Sequence, residues 1–243
     1  MNSMLSIIIP AYNEEKLLPE TLRAVNDARS VFSAAGWNSE VIVCNNNSTD
    51  RTGEIAVAHG ATVVFEPINQ IARARNAGAA AARGNWLLFI DGDSIPSPAL
   101  FAQVLKHIES GRILAGGCLM DISGPQSLII QLAKVWSLIS VTLRLMAGAF
   151  IFVEANAFRE IGGFSHELFA GEELDLSKKL KKVARARKLR LTIITSPRLL
   201  TSGRKAHLYR PKEIAVFLFK ATLRPFHVLK QRDQCGIWYD GRR

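Results

Sequence analysis

The sequence predicts an α/β fold with a doubly wound, mainly parallel sheet, and three observations support this prediction. Short apolar runs alternate with helical patterns in the order βαβαβαβ over about the first 90 residues. These runs are continuously apolar, as expected of strands whose two faces are both covered by helices. Hydrophobic residues make up 48% of the 243 residues and charged residues 21%, a composition that can fill one large core.

The first half of the chain shows the alternation most clearly. We predict strands at Ser6–Ile9, Val41–Cys44, Thr62–Phe65 and Trp86–Ile90, with helices between them at Glu14–Ala35, Asp50–His59 and Ala72–Ala82. Pro19 fits only the first turns of its helix because proline has no backbone N–H to donate.

The pattern is less regular in the second half. We predict helices at Ala99–Glu109, Gln126–Met146, Glu172–Arg187 and Pro211–Leu223, a short helix ending at Gly162-Gly163, and strands at Ile113–Met120, Phe150–Val153 and Leu191–Ile194. No internal repeat or low-complexity linker interrupts the chain, so we predict a single domain over residues 1–243.

The net charge of +10 is distributed unevenly. Residues 1–121 carry 9 basic and 12 acidic side chains, whereas residues 122–243 carry 22 and 9. Positive charge is therefore concentrated in the second half. Aromatic residues do not interleave with the basic run, and no recognition-helix or zinc-finger pattern occurs, so we expect no nucleic-acid partner.

Cysteine spacing and the apolar stretches favour a cytoplasmic location. The three cysteines lie far apart and provide neither a disulfide scaffold nor a CxxC metal site. The N-terminus lacks a charged segment, and its apolar run meets Pro10 after five residues, so we expect no export signal. The longest apolar-rich stretch, 127–153, is interrupted by Lys134 and Arg144, so we expect no transmembrane helix.

Polar residues follow three predicted strands directly, in the segments Pro10–Glu15, Asn45–Asp50 and Asp91–Asp93. In an open α/β sheet, ligands bind at the carboxyl ends of the strands. Asp91 and Asp93 are separated by a glycine, and two carboxylates at this spacing can reach one Mg²⁺ or Mn²⁺ ion. An Asp-Gly turn is the alternative, but the position directly after a buried strand favours the metal.

Two phosphate-binding motifs are absent from the sequence. Neither GxGxxG after the first strand nor GxxxxGK(S/T) occurs anywhere in the chain, which disfavours a dehydrogenase and a P-loop NTPase.

A series of motifs in order resembles the family 2 glycosyltransferases, which have the GT-A fold. The motifs are Ile7–Glu15, Asn47–Thr52, Ala74–Gly78, Phe89–Asp93, Gly162–Phe164, Gly171–Leu176 and Thr201–Arg204. The resemblance implies transfer of a sugar from a nucleotide-diphosphate-sugar donor, usually of UDP or GDP, to an acceptor hydroxyl. It also implies a divalent metal, Mg²⁺ or Mn²⁺, and usually inversion at the anomeric carbon.

The resemblance assigns the nucleoside-binding residues by position. Pro10, Ala11, Tyr12 and Glu14 match the segment that wraps the base and ribose. Asn45 stands where many members have an aspartate that hydrogen-bonds the pyrimidine imide. This is a departure from the family, because an amide both donates and accepts and so reads a base edge without the same preference for uracil.

The resemblance also implies residues for the diphosphate and the metal. Arg75 matches an arginine near the diphosphate, and Asp91 and Asp93 match the metal and ribose motif, with Asp93 as the direct metal ligand. Arg204 is assigned to the diphosphate because its planar guanidinium suits phosphate oxygens. His207 is a candidate metal ligand, and a surface histidine beside a basic stretch is the alternative.

Glu173 is the predicted catalytic base and a second departure, since many relatives carry an aspartate there. The reaction requires a carboxylate that takes a proton from the acceptor hydroxyl. Asp175 is the alternative base. A purely structural interpretation is also open, in which Glu172 and Glu173 are first-turn acids that complement the helix dipole.

The resemblance divides the predicted domain into a nucleotide-sugar-binding half, 1–120, and an acceptor-binding half, 121–243, with a basic C-terminal extension. Lys178–Arg190 contains eight cations in thirteen residues, beside an apolar stripe that includes Leu176 and Leu180. These cations form either a solvated helix face or a surface attracted to an anionic membrane, with the apolar stretch 127–146 as a partner that enters lipid. A buried core helix is the other interpretation of that stretch.

Two other functions fit parts of the pattern. A nucleotidyltransferase also uses a metal at the edge of an α/β sheet, but it normally has a Gly-rich basic loop after the first strand, where this chain is acidic. A non-catalytic module that binds sugar nucleotides or membranes is disfavoured by the acids at positions 91, 93 and 173.

Overall fold

The computed structural model describes residues 3–122, 137–146, 149–202 and 228–239. Within these ranges the strands are β1 (Met4–Ala11), β2 (Asn38–Asn45), β3 (Thr62–Phe65), β4 (Trp86–Ile90), β5 (Ser94–Ile95), β6 (Ile113–Ile122), β7 (Phe150–Glu154) and β8 (Arg190–Thr201). The helices are α1 (Leu18–Ala28), α2 (Ser30–Ala34), α3 (Thr52–Ala58), α4 (Ile71–Ala81), α5 (Pro98–Glu109), α6 (Ala155–Glu160), α7 (Glu172–Ala186) and α8 (Gly236–Tyr239). A 3₁₀ helix spans Arg232–Cys235, and residues 137–143 are also helical.

The first four strands form the parallel part of the sheet, whose order is β3-β2-β1-β4-β7-β6-β8-β5. The chain moves outward from β1 to β3 and then returns to place β4 on the other side of β1. Three consecutive isoleucines in β1 are fully buried, with Ile8 packed on one face and Ile7 and Ile9 on the other. Because both faces are covered, the continuously apolar runs are strands, and the predicted doubly wound sheet is confirmed.

The second half extends the same sheet with a change of direction. Strand β7 is antiparallel to β4 and to β6, and β6 is parallel to β8. Phe150 and Phe152 of β7 are fully buried, and Phe150 packs against Phe101 of α5 at 6.4 Å between ring centroids. The sheet is thus mainly parallel, as predicted.

Two strands differ from the prediction. The two-residue strand β5 follows the Asp91–Asp93 turn and pairs antiparallel with the end of β8, a segment too short to give a sequence pattern. Strand β8 continues past Pro197 to Thr201 instead of ending at Ile194. The register between β6 and β8 shifts between Cys118 and Met120, and such an irregularity accommodates a proline that cannot donate to the ladder.

The first predicted helix is divided and starts later than expected. Helix α1 begins at Leu18, with Pro19 in its first turn, because the preceding residues form a turn in which the Glu14 carbonyl accepts from the N–H groups of Leu17 and Leu18. Ser30 begins α2, and its hydroxyl donates to the Asp27 carbonyl at 2.6 Å, a local bond that competes with a continuous helix.

Helix α7 has the predicted amphipathic character, since Leu176, Leu180 and Ala184 are buried along one stripe. Its Ser177 hydroxyl accepts from the Met146 N–H at 3.0 Å and so ties the segment after the 137–143 helix to α7. The rest of the predicted helix at 126–146 and the predicted helix Pro211–Leu223 lie outside the described residues. Among the described helices, none has the length and apolar character needed to cross a bilayer.

Helix α4 lies unusually close to the sheet at Gly78. A β-carbon at this position would lie 2.5 Å from Cγ2 of Ile8 in β1, so the approach of the helix to the strand depends on the missing side chain. Helix α4 also carries Arg75, so this contact helps to position the arginine relative to the sheet.

We expect Gly78→Ala to lower the free energy of unfolding by about 1–3 kcal/mol, because the new methyl overpacks a fully buried contact. Helix propensity alone predicts a gain of about 1 kcal/mol from the same change. The matched control is Ala80→Gly on the exposed side of α4, where only propensity acts and a loss of about 1 kcal/mol is expected. Urea denaturation measures both variants, and a stabilised Gly78→Ala protein would contradict the packing argument.

Candidate active site

Loops at the carboxyl ends of β1, β2 and β4 meet in an open cleft of about 510 Å³. These strands are parallel neighbours, so their ends lie at one edge of the sheet although the loops are distant in sequence. The cleft is lined by Pro10, Ala11, Tyr12, Glu14, Asn46, Asn69, Ile71, Asp91, Gly92 and Asp93. The structure therefore brings together the predicted nucleoside-binding segment and both predicted aspartates.

The loop after β1 is fastened to the loop after β2. Asn13 adopts a left-handed conformation (φ 52°), which asparagine tolerates, and its side-chain oxygen accepts from the Thr49 N–H at 2.8 Å. The Glu14 N–H donates to the Thr52 hydroxyl at 2.9 Å, and the side chain of Glu14 is buried in the cleft wall. Backbone and side-chain bonds thus fix the loop before any ligand binds.

Asn45 and Asn46 have different environments. The side-chain oxygen of Asn45 accepts from the Ser48 N–H at 2.9 Å, and its amide nitrogen lies against Gly53, whereas Asn46 is buried and lines the cleft. With its amide oriented to satisfy both neighbours, Asn46 donates to the Ile68 carbonyl and accepts from the Gln70 N–H. The sequence analysis missed Asn46, because three consecutive asparagines give no signal of which one faces the cleft.

The turn that carries Asp91 and Asp93 is anchored on both sides. The Asp91 N–H donates to the Ala149 carbonyl at 3.1 Å, and the Asp93 carbonyl accepts from the Ser202 N–H at 3.1 Å. The Thr21 hydroxyl of α1 donates to the carbonyl of the intervening glycine at 3.0 Å. These hydrogen bonds therefore fix the backbone of the turn from which both carboxylates project.

The carboxylates of Asp91 and Asp93 fit a divalent metal that is completed by substrate. Mg²⁺ and Mn²⁺ prefer oxygen ligands and are commonly held by one or two carboxylates together with water and substrate phosphates. Among the described residues, no group of three or more His, Cys, Asp or Glu side chains is arranged to hold an ion alone.

Arg75 forms a buried cluster with three carboxylates. Its side chain is 3% exposed, and its two terminal nitrogens lie 3.0 Å from Asp91, 3.0 Å from Glu172 and 3.8 Å from Glu173. The guanidinium also lies over the ring of Phe164, 5.1 Å from the centroid. Burial opposes the charged form, but the three acids outweigh burial and raise the pKa of Arg75. Arg75, the arginine predicted to lie near the diphosphate, is therefore paired with acidic side chains.

The two adjacent glutamates of α7 are not equivalent. Glu172 is 4% exposed and faces Arg75, and its burial, followed by the charge of Glu173, raises its pKa while Arg75 opposes the rise. Glu173 is 17% exposed, so its carboxylate is the more accessible of the two. Asp175, the alternative base, forms an ion pair with Lys179 at 2.8 Å. Glu172 is therefore the most deeply buried of the three acids, and Asp175, at 33%, is the most exposed.

Residues near the C-terminus pack behind the site and were not predicted to belong to it. The Tyr239 hydroxyl accepts from the N–H of Ile71, a cleft-lining residue, at 3.3 Å. Burial, followed by the charge of Glu172, raises the pKa of the Cys235 thiol to about 11. The predicted site residues Arg204 and His207 lie outside the described residues.

Comparison with known proteins gives a consistent family assignment. The family model "Glycosyl transferase family 2" matches residues 6–152. EpsJ of Bacillus subtilis, named an uncharacterized glycosyltransferase, is 32% identical over 123 residues, which cover 49% of this chain and 34% of EpsJ. The chain thus matches about a third of the length of this relative.

Solved structures of TarS and of glucosyl-3-phosphoglycerate synthase have the same fold. TarS 1–349 of Staphylococcus aureus with UDP-GlcNAc has a TM-score of 0.65 at 18% identity, covering 96% of this chain and 69% of that one. Glucosyl-3-phosphoglycerate synthase of Mycobacterium tuberculosis, with Mn²⁺, UDP-glucose and phosphoglyceric acid, has a TM-score of 0.60 at 20% identity, covering 96% and 80%. These likenesses confirm the GT-A fold.

The family match covers more than half of the chain, and it includes the cleft, the Asp91–Asp93 turn and the helix that carries Arg75. The predicted resemblance is therefore confirmed, and the protein belongs to glycosyl transferase family 2.

Proposed function

We propose that the protein transfers a sugar from a nucleotide-diphosphate-sugar donor to an acceptor hydroxyl, with the aid of Mg²⁺ or Mn²⁺ and with inversion at the anomeric carbon. The observation that carries this proposal is the convergence of the cleft, the Asp91–Asp93 turn and Glu173 around one buried arginine. The family match and the nucleotide-sugar complexes of the neighbouring structures support it. In this proposal residues 1–120 bind the donor and residues 121–243 the acceptor.

The negative charge of the cleft supports the proposal that a metal ion binds there. Glu14, Asp91 and Asp93 line the cleft, so a donor diphosphate would meet acidic side chains. The cluster around Arg75 already contains more acids than cations. Asp93, with Asp91 beside it, would hold the ion. When bound, a divalent ion neutralises charge on the leaving diphosphate.

Glu173 acts as the general base in this proposal. The acceptor oxygen attacks the anomeric carbon from the side opposite the diphosphate, and the bond from that carbon to the phosphate oxygen breaks. Glu173 takes the proton that the acceptor hydroxyl loses. Asp91 and Glu173 contact the same guanidinium, so Arg75 keeps the donor-side and acceptor-side carboxylates at a fixed separation.

Asn46 is a second residue that can hydrogen-bond the nucleobase, in addition to the predicted Asn45. It is buried in the cleft wall and uses both its amide groups on backbone neighbours, which holds the side chain in one orientation. A carboxylate at the base-reading position would accept only, and would favour bases that present an imide N–H, such as uracil.

We expect Asp93→Ala to weaken Mn²⁺-dependent binding of UDP-glucose at least about tenfold, because the metal loses its direct ligand. Calorimetry with and without Mn²⁺ measures the effect. Asp27→Ala, which removes an exposed acid of α1, is the control and should bind like the parent protein. Equal donor binding by Asp93→Ala and the parent would contradict the metal assignment.

We expect Glu173→Gln to retain donor binding but to lose transfer by roughly 10²- to 10⁴-fold, the usual contribution of a positioned general base. Single-turnover assays with a labelled donor separate the two effects. Asp175→Asn should keep most of the activity, because Asp175 is engaged with Lys179 on the surface of the same helix. Loss of activity in Asp175→Asn with normal turnover in Glu173→Gln would exchange the two roles.

We expect Asn46→Asp to shift donor preference towards UDP-sugars by roughly fivefold relative to CDP-sugars, since a charged acceptor strengthens the hydrogen bond from the imide N–H of uracil, which cytosine lacks. Asn45→Asp is the matched control, one residue away and outside the cleft wall. Competition binding of UDP and CDP measures the ratio. A shift in Asn45→Asp alone would return the base-reading role to Asn45.

A further inference from the structure

The 137–143 helix exposes large apolar side chains on the surface of the protein. Leu138 is 71% exposed and Leu143 is 54% exposed, with Ile139 also exposed. Most of the other large hydrophobic side chains in the described residues are buried in the two faces of the sheet. An exposed group of this kind on one short helix is typical of a surface that contacts another apolar phase.

Cations of α7 lie directly beside this helix. The Lys181 ammonium donates to the Leu143 carbonyl at 2.5 Å, and the Ser177–Met146 bond holds the same two segments together. Lys178 and Lys182 are exposed and lie one turn apart on the same side of α7. We call the following set the outer face: Leu138, Ile139, Leu143, Arg144, Lys178, Lys181 and Lys182.

The cations of the outer face lie close to one another. Partial burial, followed by the charges of Arg144 and Lys178, lowers the pKa of Lys181, which places these three cations close together. Among the residues that the structure describes, none of the four cations forms an ion pair, whereas the neighbouring Lys179 pairs with Asp175. Like charges held together without acids favour an anionic binding partner.

We propose that the outer face docks the protein on a bilayer that carries anionic headgroups. Lysine and arginine side chains each contribute about 1 kcal/mol at such a surface, and the leucines supply the apolar contact of an interfacial helix. A solvated helix face explains the cations but not the exposed leucines beside them. A protein partner with an apolar surface explains the leucines but not the unpaired cations.

The position of the outer face fits an acceptor held in the membrane, an inference that rests on the proposed function. Glu173 lies in the first turn of α7, and Lys178 follows five residues later. At 1.5 Å per residue, the first cation of the outer face lies roughly 8 Å along the helix from the proposed base. The docked bilayer would therefore lie within about two helical turns of Glu173 along the axis of α7.

The charge component is tested by sedimentation of the full chain with vesicles of phosphatidylcholine, with or without about one third phosphatidylglycerol. We expect binding only to the anionic vesicles, weakened about 30-fold or more in Lys178→Glu/Lys182→Glu. The matched control, Lys106→Glu/Arg112→Glu, changes the net charge equally at exposed positions around the end of α5 and should bind as the parent does. Equal weakening in both pairs would assign binding to net charge and overturn the proposal.

The apolar component is tested with Leu138→Ser/Leu143→Ser, which should weaken vesicle binding about tenfold or more. Val57→Ser/Phe65→Ser removes equally exposed apolar side chains from the first half of the chain and is the control. Failure of the parent protein to bind either vesicle overturns the proposal. So does a self-association that only the leucine pair abolishes in the absence of vesicle binding, since the face would then belong to a second copy.

Donor binding distinguishes this proposal from the proposed function. Calorimetry with UDP-glucose and Mn²⁺ in solution should give the parent affinity in all four vesicle variants. Vesicle binding with the expected pattern but without any donor binding would leave the docking face standing and reject the proposed function. Donor binding without vesicle binding would support the proposed function and overturn the docking proposal.

Discussion

The buried cluster around Arg75 is the constraint on which the arrangement of the site depends. The arginine comes from α4, whereas its acidic partners come from the turn after β4 and from the first turn of α7. Burying a charged side chain costs several kcal/mol unless it is paired with an opposite charge. Removing one member of such a pair leaves the other charge buried without a partner. The arginine and its acids are therefore stable only together, and they join two distant parts of the chain.

Local sequence features explain how this cluster is assembled. Gly78 lets α4 approach β1 closely, which places Arg75 behind the end of β4. Gly171 adopts a left-handed conformation (φ 75°) at the start of α7, so that the helix begins with Glu172 and Glu173 directed at the arginine. The ring of Phe164 packs against the guanidinium of Arg75. Gly78, Gly171 and the small residues of α4 thus determine where Arg75 and its acidic partners lie.

The sequence was sufficient for the parallel half of the fold and for the edge that holds the cleft. Continuous apolar runs predict buried strands, and parallel strands place their following loops together. The sequence did not predict the partners of Arg75, because these depend on where α7 packs on the sheet, and that packing involves contacts nearly 100 positions apart. It also did not separate Asn45 from Asn46, or place Tyr239, because neither depends on a local periodic pattern.

The acidic and basic side chains of the described residues lie in different parts of the structure. In the described residues, the cleft and its surroundings are acidic, and Arg75 is engaged by three carboxylates. The lysines of α7 begin five residues after Glu173; Lys178 and Lys182 are exposed, and Lys179 and Lys181 are half-buried. Because opposite charges attract, an acidic cleft and a basic surface favour different ligands: cations in the cleft and an anionic partner outside it.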